Sequence, residues 1–500
     1  MRRLVRSTAL LSAGSVATII AALLRAKVLA AWLGPQGTGV MAQLASLTQV
    51  LVPLATLGAG NGVVALIADA RARGDHARVA RIQRTTLALC WGVGGAIALA
   101  TALASPWLAR GIYEGGEYFW IVLVGAATVP LSAVASLRIS MLQGHEAIRE
   151  MAVLNALIAA AGIATILPLA WLFGVTGAVF QLLAVALAYV WLSTRAMRPY
   201  SAKARAAEAM ERDGAAVAAR PALLDRSLLP TLIRYGGSAL LVGLSSTLTL
   251  LLLRSVLVKK LGLSDNGIYQ VCVGISGLYM PMILNSITAT VWPQIAAARG
   301  SEEVGETMRQ AVRLSFLLQT GAAAAVMIVA PVAVPLLYSD RFVPALALLP
   351  LQFLGDYFRT GAWMFGVWLV PRNRLRPWVL FDLVYAVVFL GSFLLLVGRM
   401  GLQGVVVAYV AAHVSHAVLH YALARRALGF QVGPANLRLM LASFALLLGF
   451  VKWTPRDMTG AALGAAATVA WALLVVRRHE WAAAWRRGRA LIQRATDAQR

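Results

Sequence analysis

The sequence predicts an all-α polytopic membrane protein, with two pseudo-symmetric six-helix lobes and two further C-terminal helices, about fourteen spans in all. Three observations carry that prediction. Hydrophobic residues make up 60% of the 500-residue chain and charged residues only 13%, and the mean hydropathy is +0.75, far from the balance that keeps a globular surface in water. Apolar runs long enough to cross roughly 30 Å of hydrocarbon recur from end to end. Glycines and prolines also recur in register between the two halves of the chain.

Spans are expected at 10–33, 40–68, 85–104, 120–142, 151–173, 176–194, 231–253, 267–297, 314–337, 345–370, 378–398, 404–424, 437–452 and 459–476. In lipid every backbone amide must be satisfied inside a helix or a closed barrel, and these runs are too long for barrel strands. The first run follows Arg2, Arg3 and Arg6 as a signal peptide would. It continues to Leu33 without a small-residue cleavage site, so it reads as a retained helix. Cys90 and Cys272 each sit alone in an apolar run, where a thiol behaves as a small hydrophobe, and neither a disulfide nor a metal site is signalled.

The net charge of +25 comes from 45 Lys and Arg against 20 Asp and Glu, and its placement decides its meaning. With the N-terminus in the cytoplasm, Arg71, Arg73, Arg78, Arg81 and Arg84 share one cytoplasmic loop and Arg372, Arg374 and Arg376 another. The tail adds Arg477, Arg478, Arg486, Arg487 and Arg489, whereas the outside loops hold only Arg110, Lys259, Lys260, Arg341, Arg399, Lys452 and Arg456. This is the positive-inside rule, and it puts both termini in the cytoplasm. The charge is a topology signal with attraction to anionic membrane lipids. No basic soluble domain is present to hold nucleic acid, and no G-x-x-x-x-G-K-[ST] loop is present to cradle ATP.

An offset of 228 residues places Gly34 on Gly262, Gly39 on Gly267, Pro53 on Pro281 and Arg71 on Arg299, and one further residue aligns Gly92 with Gly321 and Pro106 with Pro335. Shared glycines and prolines imply matching turns and matching kinks in the second and eighth spans. The expected division is an N-terminal lobe over 1–194, a partly helical cytoplasmic linker over 195–230, a C-terminal lobe over 231–426, two added helices over 427–476 and a basic tail over 477–500. Repeats joined in this way form a familiar secondary-transporter plan with the binding site between them.

Several segments carry a family resemblance. The run from Lys27 through Trp32, Gly34, Pro35 and Gly37 to Gly39, the run Asn266 to Gln270, and Gly355-Asp356 followed by Gly361 to Gly366 resemble the Wzx-type O-antigen translocases. Those belong to the multidrug/oligosaccharidyl-lipid/polysaccharide exporter superfamily, whose fold is MATE-like, and the resemblance spans Leu10 to Arg426. It implies a flippase of the bacterial inner membrane, not an enzyme, moving undecaprenyl-diphosphate-linked oligosaccharide, such as an O-antigen repeat of lipopolysaccharide, from the cytoplasmic to the periplasmic leaflet. It implies no cofactor, a proton or sodium ion as the coupling ion, and a polysaccharide polymerase as a partner. The last two helices depart from the usual twelve.

Charged residues inside spans are costly and usually face a bundle interior or wet cavity. Those expected here are Arg25, Lys27, Arg138, Arg234, Arg254, Arg359, Asp356 and Asp382. A diphosphate crossing hydrocarbon needs fixed positive charge, so Lys27, Arg254 and Arg359, with Arg25 and Arg138, are the candidate substrate-binding residues. All of these but Arg359 lie near helix ends, where snorkelling to headgroups is the competing reading. Asp356, eleven residues from Ala345 and too short to snorkel, shares a helical face with Arg359 at i+3. The pair is either a self-contained ion pair or a coupling site in which Asp356 takes up a cation as Arg359 releases it. His413, His416 and His420 form one stripe, a proton relay or a set of interhelical hydrogen bonds; His413 and His416 join Asp356 as ion-coupling candidates. Tyr269, Gln270, Tyr357, Trp363 and Trp368 are placed to contact sugar rings or to pack.

Two rival readings remain. A polytopic polymerase or ligase needs catalytic groups in a sizeable outside loop, and the longest here, about 105–119, offers only Arg110, Glu114 and Glu117. A multidrug or cation antiporter of the same superfamily wants acids in its interior, where cations predominate here.

Overall fold

The computed structural model describes residues 20–213, 223–453 and 458–476, so Arg2, Arg3 and Arg6 and the basic tail from Arg477 lie outside the described residues. Among the described residues there is no strand. The helices are α1 (20–33, ending in the π-type stretch Leu29–Leu33), α2 (Gly34–Ala55), α3 (Gly60–Ala72), α4 (His76–Leu103), α5 (Ser105–Ile112), α6 (Phe119–Gly144), α7 (Ile148–Asp213) and α8 (Leu229–Leu261). There follow α9 (Leu263–Ala297), α10 (Ser301–Leu337), α11 (Leu349–Gly366), α12 (Leu375–Met400), α13 (Gln403–Leu428), α14 (Pro434–Lys452) and α15 (Met458–Val475).

Local chemistry sets these boundaries. Pro35, Pro106 and Pro434 stand in the first turns of α2, α5 and α14, where a missing N–H costs nothing. The Asp75 carboxylate accepts from the Arg78 amide at 2.7 Å and starts α4. Among the described residues nine helices are long and apolar enough to cross a membrane, and Thr459–Val475 is a shorter apolar one. The expected spans 151–173 and 176–194 both lie in α7, which is two helices parted at Gly174, where the backbone is non-helical (φ 57, ψ −132); across that break Gln181 Nε2 donates to Gly162 O at 3.3 Å. The second of these helices runs on to Asp213, so the first half of the expected linker is helical. The expected span 40–68 instead divides, because α2 ends two residues after Pro53 and the chain turns through Gly58 at φ 64 into α3.

The internal repeat has a physical counterpart. Gly34 and Gly262 both take positive φ, 64 and 97, and begin the helices α2 and α9. A Cβ on Gly39 would fall 1.9 Å from the Leu263 carbonyl oxygen, and one on Gly267 would fall 1.9 Å from that of Pro35. The same offset that pairs the glycines pairs Pro35 with Leu263, so the two copies cross backbone to backbone at reciprocal points. The repeat also extends further than the sequence pattern suggested. At an offset of 227, Glu146 and Asn373 take φ 57 and 55, and Ala147 N to Leu142 O (3.0 Å) is matched by Arg374 N to Leu369 O (2.8 Å), the bonds of a glycine-less Schellman turn. Gly174 matches Gly401 (φ 52) at the same offset. The two copies differ beyond the shared proline, since α9 continues past Pro281 to Ala297 whereas α2 ends at Ala55.

Chain contacts define two compact units, one of Met1–Gly274, Val334–Ala345 and Arg376–Ala408, the other of Ile275–Ala333, Leu346–Leu375 and Tyr409–Arg500. The first unit has one core around Ile67, Ile82, Val134, Leu137 and Met141 and a second around Leu44, Tyr113, Ile121, Val258 and Leu263. In the second unit α14 and α15 are bonded in rather than appended to a finished bundle. Tyr357 Oη donates to Met440 O at 3.0 Å, Asn436 Nδ2 to Arg309 O at 2.8 Å, and Arg313 Nη2 to Val475 O at 2.9 Å.

Candidate functional site

Among the described residues, each unit contains a buried polar site centred on a charged side chain. In the first, α8 ends at Gly262 and the chain turns back into α9, which lays the last turns of α8 against the first turns of α9. Arg254, 1% exposed, donates through Nη1 to Asn266 Oδ1 at 2.9 Å and through Nη2 to Gln270 Oε1. Its guanidinium carbon lies 5.7 Å from the Tyr269 ring centroid, a cation–π distance. Asn266 is fixed in turn, its Nδ2 donating to Gly39 O at 2.9 Å, so the helix crossing and the arginine clamp share a residue. Ser255 beside it accepts from Gln43 Nε2 at 3.0 Å.

Among the described residues no carboxylate lies within ion-pair reach of Arg254, and its Nε has no hydrogen-bond partner. Burying an ion without a counter-charge costs several kcal/mol even after amide oxygens solvate it.

The other cations of this unit sit differently. Arg25 and Lys27 in α1 are half-buried, Arg25 with an unpartnered Nε, and neither bonds to Arg254. Arg138 in α6 reaches across to α7, where Nη1 donates to Val190 O at 3.0 Å and to Thr194 Oγ1. Exposed Arg234 fits a snorkelling residue. Asp382 accepts a hydrogen bond from the Trp378 indole.

In the second unit the site is anionic. Asp356 lies only seven residues into α11, shallower along its helix than the expected 345–370 span suggested, yet it is fully buried. Ser276 Oγ donates to its Oδ2 at 2.6 Å, Tyr279 Oη to the same atom at 2.7 Å, and Tyr409 Oη to Oδ1 at 2.8 Å. Gln352 Nε2 donates to Ser276 Oγ at 3.2 Å, and Gln352 Oε1 has no partner. Arg359, half-buried one turn along, acts electrostatically on Asp356, His413 and His416 alike.

The histidine stripe of α13 starts at this carboxylate. The Tyr409 ring, bonded to Asp356, meets His413 edge to face at 4.4 Å; His413 and His416 are 6.3 Å apart, His416 and His420 4.5 Å. The structure thus gathers Asp356, Arg359, His413 and His416 into one cluster. Among the described residues no group of three or more His, Cys, Asp or Glu converges as metal ligands would.

Glycines of α11 make the cluster possible. A Cβ on Gly355 would sit 2.2 Å from Tyr409 Cδ1, and one on Gly366 2.3 Å from His420 Cδ2. Both glycines and both rings are eleven residues, three turns, apart, so α11 and α13 run side by side in constant register. Trp363 Nε1 bonds Thr288 Oγ1 at 2.9 Å; this ring and Tyr357 are tied into interhelical bonding.

Sequence reasoning missed Ser276, Tyr279 and Tyr409, though a signal existed. Ser276 and Tyr279 are i and i+3 on one face of an apolar helix, and Tyr409 extends the histidine stripe by one further turn.

A many-helix chain with nine apolar candidate spans and buried, unequal charges in two units is a multi-pass membrane protein in class. The pattern of the polysaccharide biosynthesis protein family matches residues 4–298, more than half of the chain, and the protein belongs to that family. The chain is similar to the "Lipid III flippase" proteins of Escherichia coli (strain K12) and Shigella flexneri, each 25% identical over 410 residues, covering 81% of this chain and 94% of the relative. These relatives are named for transport and not for catalysis. In fold it resembles an inward-facing multidrug resistance MATE family transporter of the MOP superfamily, with TM-score 0.67 at 18% identity over 83% of this chain and 94% of that one. A Pyrococcus furiosus MOP superfamily transporter, described by the reverse polarity of its binding pocket, matches with TM-score 0.58 at 19% identity over 85% and 95%.

Proposed function

We propose that the protein is an inner-membrane flippase for a polyprenyl-diphosphate-linked oligosaccharide, the repeat unit of an O-antigen or similar surface polysaccharide, moving it from the cytoplasmic to the periplasmic leaflet. The observation that carries the reading is Arg254, buried, always charged and paired with no carboxylate among the described residues. A phosphate oxygen supplies the missing counter-charge, and the guanidinium fork binds it through paired donors. The family and the lipid III flippase relatives support a lipid-linked sugar over a cationic drug as cargo. Lys27, Arg25 and Arg359 are further candidates for contact with the diphosphate.

The same reading makes Asp356 the ion-coupling group, with His413 and His416 as its extension. As drawn, three hydroxyls donate to the carboxylate. A protonated Asp356 must itself donate, so one of those hydroxyls has to turn and accept. Proton uptake therefore rearranges Ser276, Tyr279 or Tyr409, which lie on helices other than α11. A sodium ion would instead use the carboxylate with Ser276 Oγ and the free Gln352 Oε1.

The test is where cargo accumulates after deletion of the gene. Lipid-linked oligosaccharide trapped at the cytoplasmic face supports the flippase. Normal flipping with unpolymerised sugar outside would point to a polymerase instead.

A further inference from the structure

The first unit contains a second cationic feature that cargo binding does not absorb. From the expected end of the sixth span onward, α7 carries Thr194, Arg198, Ser201 and Arg205 along one stripe facing Arg138 of α6, and together they line a cavity of about 480 Å³. Leu87, Met141 and Met197 form its apolar wall. Arg138 is held by Val190 O and Thr194, which uses Nη1 alone. Among the described residues neither Arg198 nor Arg205 has an ion pair, and the acid one turn further on, Glu208, is already committed to Arg84 through bonds of 2.9 and 3.0 Å.

Three guanidiniums around one cavity repel one another until an anion joins them. The distribution of Lys and Arg puts this end of α7 at the cytoplasmic surface, where basic pockets between spanning helices meet lipid headgroups. We propose that this cavity holds the phosphate of an anionic phospholipid of the cytoplasmic leaflet, between Arg138, Arg198 and Arg205, with its acyl chains lying against Leu87, Met141 and Met197. The apolar wall argues for a lipid over a free anion, because a soluble phosphate has no use for it. Occupancy ties α6 to the cytoplasmic extension of α7, independently of what the protein transports.

The test uses the full chain in detergent, titrated with phosphatidylglycerol and read by native mass spectrometry and thermal unfolding. Phosphatidylglycerol is expected to be retained and to raise the unfolding temperature, while phosphatidylcholine does neither. Arg198→Gln and Arg205→Gln should each weaken retention about fivefold, the equivalent of about 1 kcal/mol per arginine at an anionic surface. Arg399→Gln, on a helix that contributes nothing to the cavity, should leave it unchanged. Equal retention of phosphatidylcholine, or undiminished retention in the Arg198→Gln/Arg205→Gln double variant, would overturn the proposal. So would displacement by inorganic phosphate at equal concentration, which would make this a free-anion site, or by a polyprenyl diphosphate, which would assign it to cargo.

Discussion

The two buried polar sites solve opposite problems with the same materials. Around Arg254 the protein offers amide oxygens to a cation; around Asp356 it offers hydroxyl protons to an anion. Only one of the two charges can be switched off. A guanidinium stays protonated in proteins, so Arg254 is a fixed charge whose burial is offset only when an anion arrives. A carboxylate can take up a proton, and the hydroxyls around Asp356 can reverse to suit either state. A fixed charge suits cargo and a variable one suits coupling, which is the division of labour proposed here.

The largest effect is expected at the fixed charge. Arg254→Gln keeps the size and some polarity but forfeits about two charge-assisted bonds to phosphate at about 1.5 kcal/mol each, and should lower transport about a hundredfold. Arg254→Lys should recover part of that loss, because it restores the charge without the fork. A flipping assay in reconstituted vesicles decides between them.

At the variable charge, Asp356→Asn should leave the protein inserted and folded while transport stops responding to an imposed ion gradient. Gly355→Ala attacks the same site indirectly. A Cβ 2.2 Å from the Tyr409 ring forces that ring away, at a cost of about 1–3 kcal/mol in stability for overpacking. It should lower the unfolding temperature and reproduce part of the Asp356→Asn uncoupling.

The smallest effect lies outside the spans. His145 caps α6, accepting from Gln83 Nε2 at 3.2 Å, and burial together with the nearby charges of Arg71 and His76 holds its pKa down from the usual 6.5 to about 4. Between those values the unfolded chain binds the proton and the folded one does not. Stability is therefore complete above pH 6.5 and is lost as pH falls towards 4. His145→Gln should flatten the decline of the unfolding temperature over that window.

Much of this was legible in the sequence because it rests on composition and on residues with special backbone geometry. Spans follow from apolar runs, and Gly39 and Gly267 marked equivalent positions of the repeat, though that they form a close backbone crossing came only from the structure. Asp356 stood out since no other acid lies so deep in an expected span. What stayed hidden depended on packing between helices. No pattern along α11 says that Gly355 is empty to admit Tyr409, or that Ser276 and Tyr279 of α9 turn towards the same carboxylate. The helices around Pro53 and Pro281 differ in length for a related reason: proline removes one backbone bond, and the surroundings decide whether the helix ends soon after, as α2 does, or continues, as α9 does.

The measurement that tests the account most directly sets Arg254→Gln beside Asp356→Asn in vesicles loaded with lipid-linked diphosphate sugar, with and without an ion gradient. The account predicts that Arg254→Gln loses both gradient-driven accumulation and passive exchange between leaflets, while Asp356→Asn loses accumulation and keeps exchange. The same defect in both variants, or exchange surviving in Arg254→Gln, would contradict it.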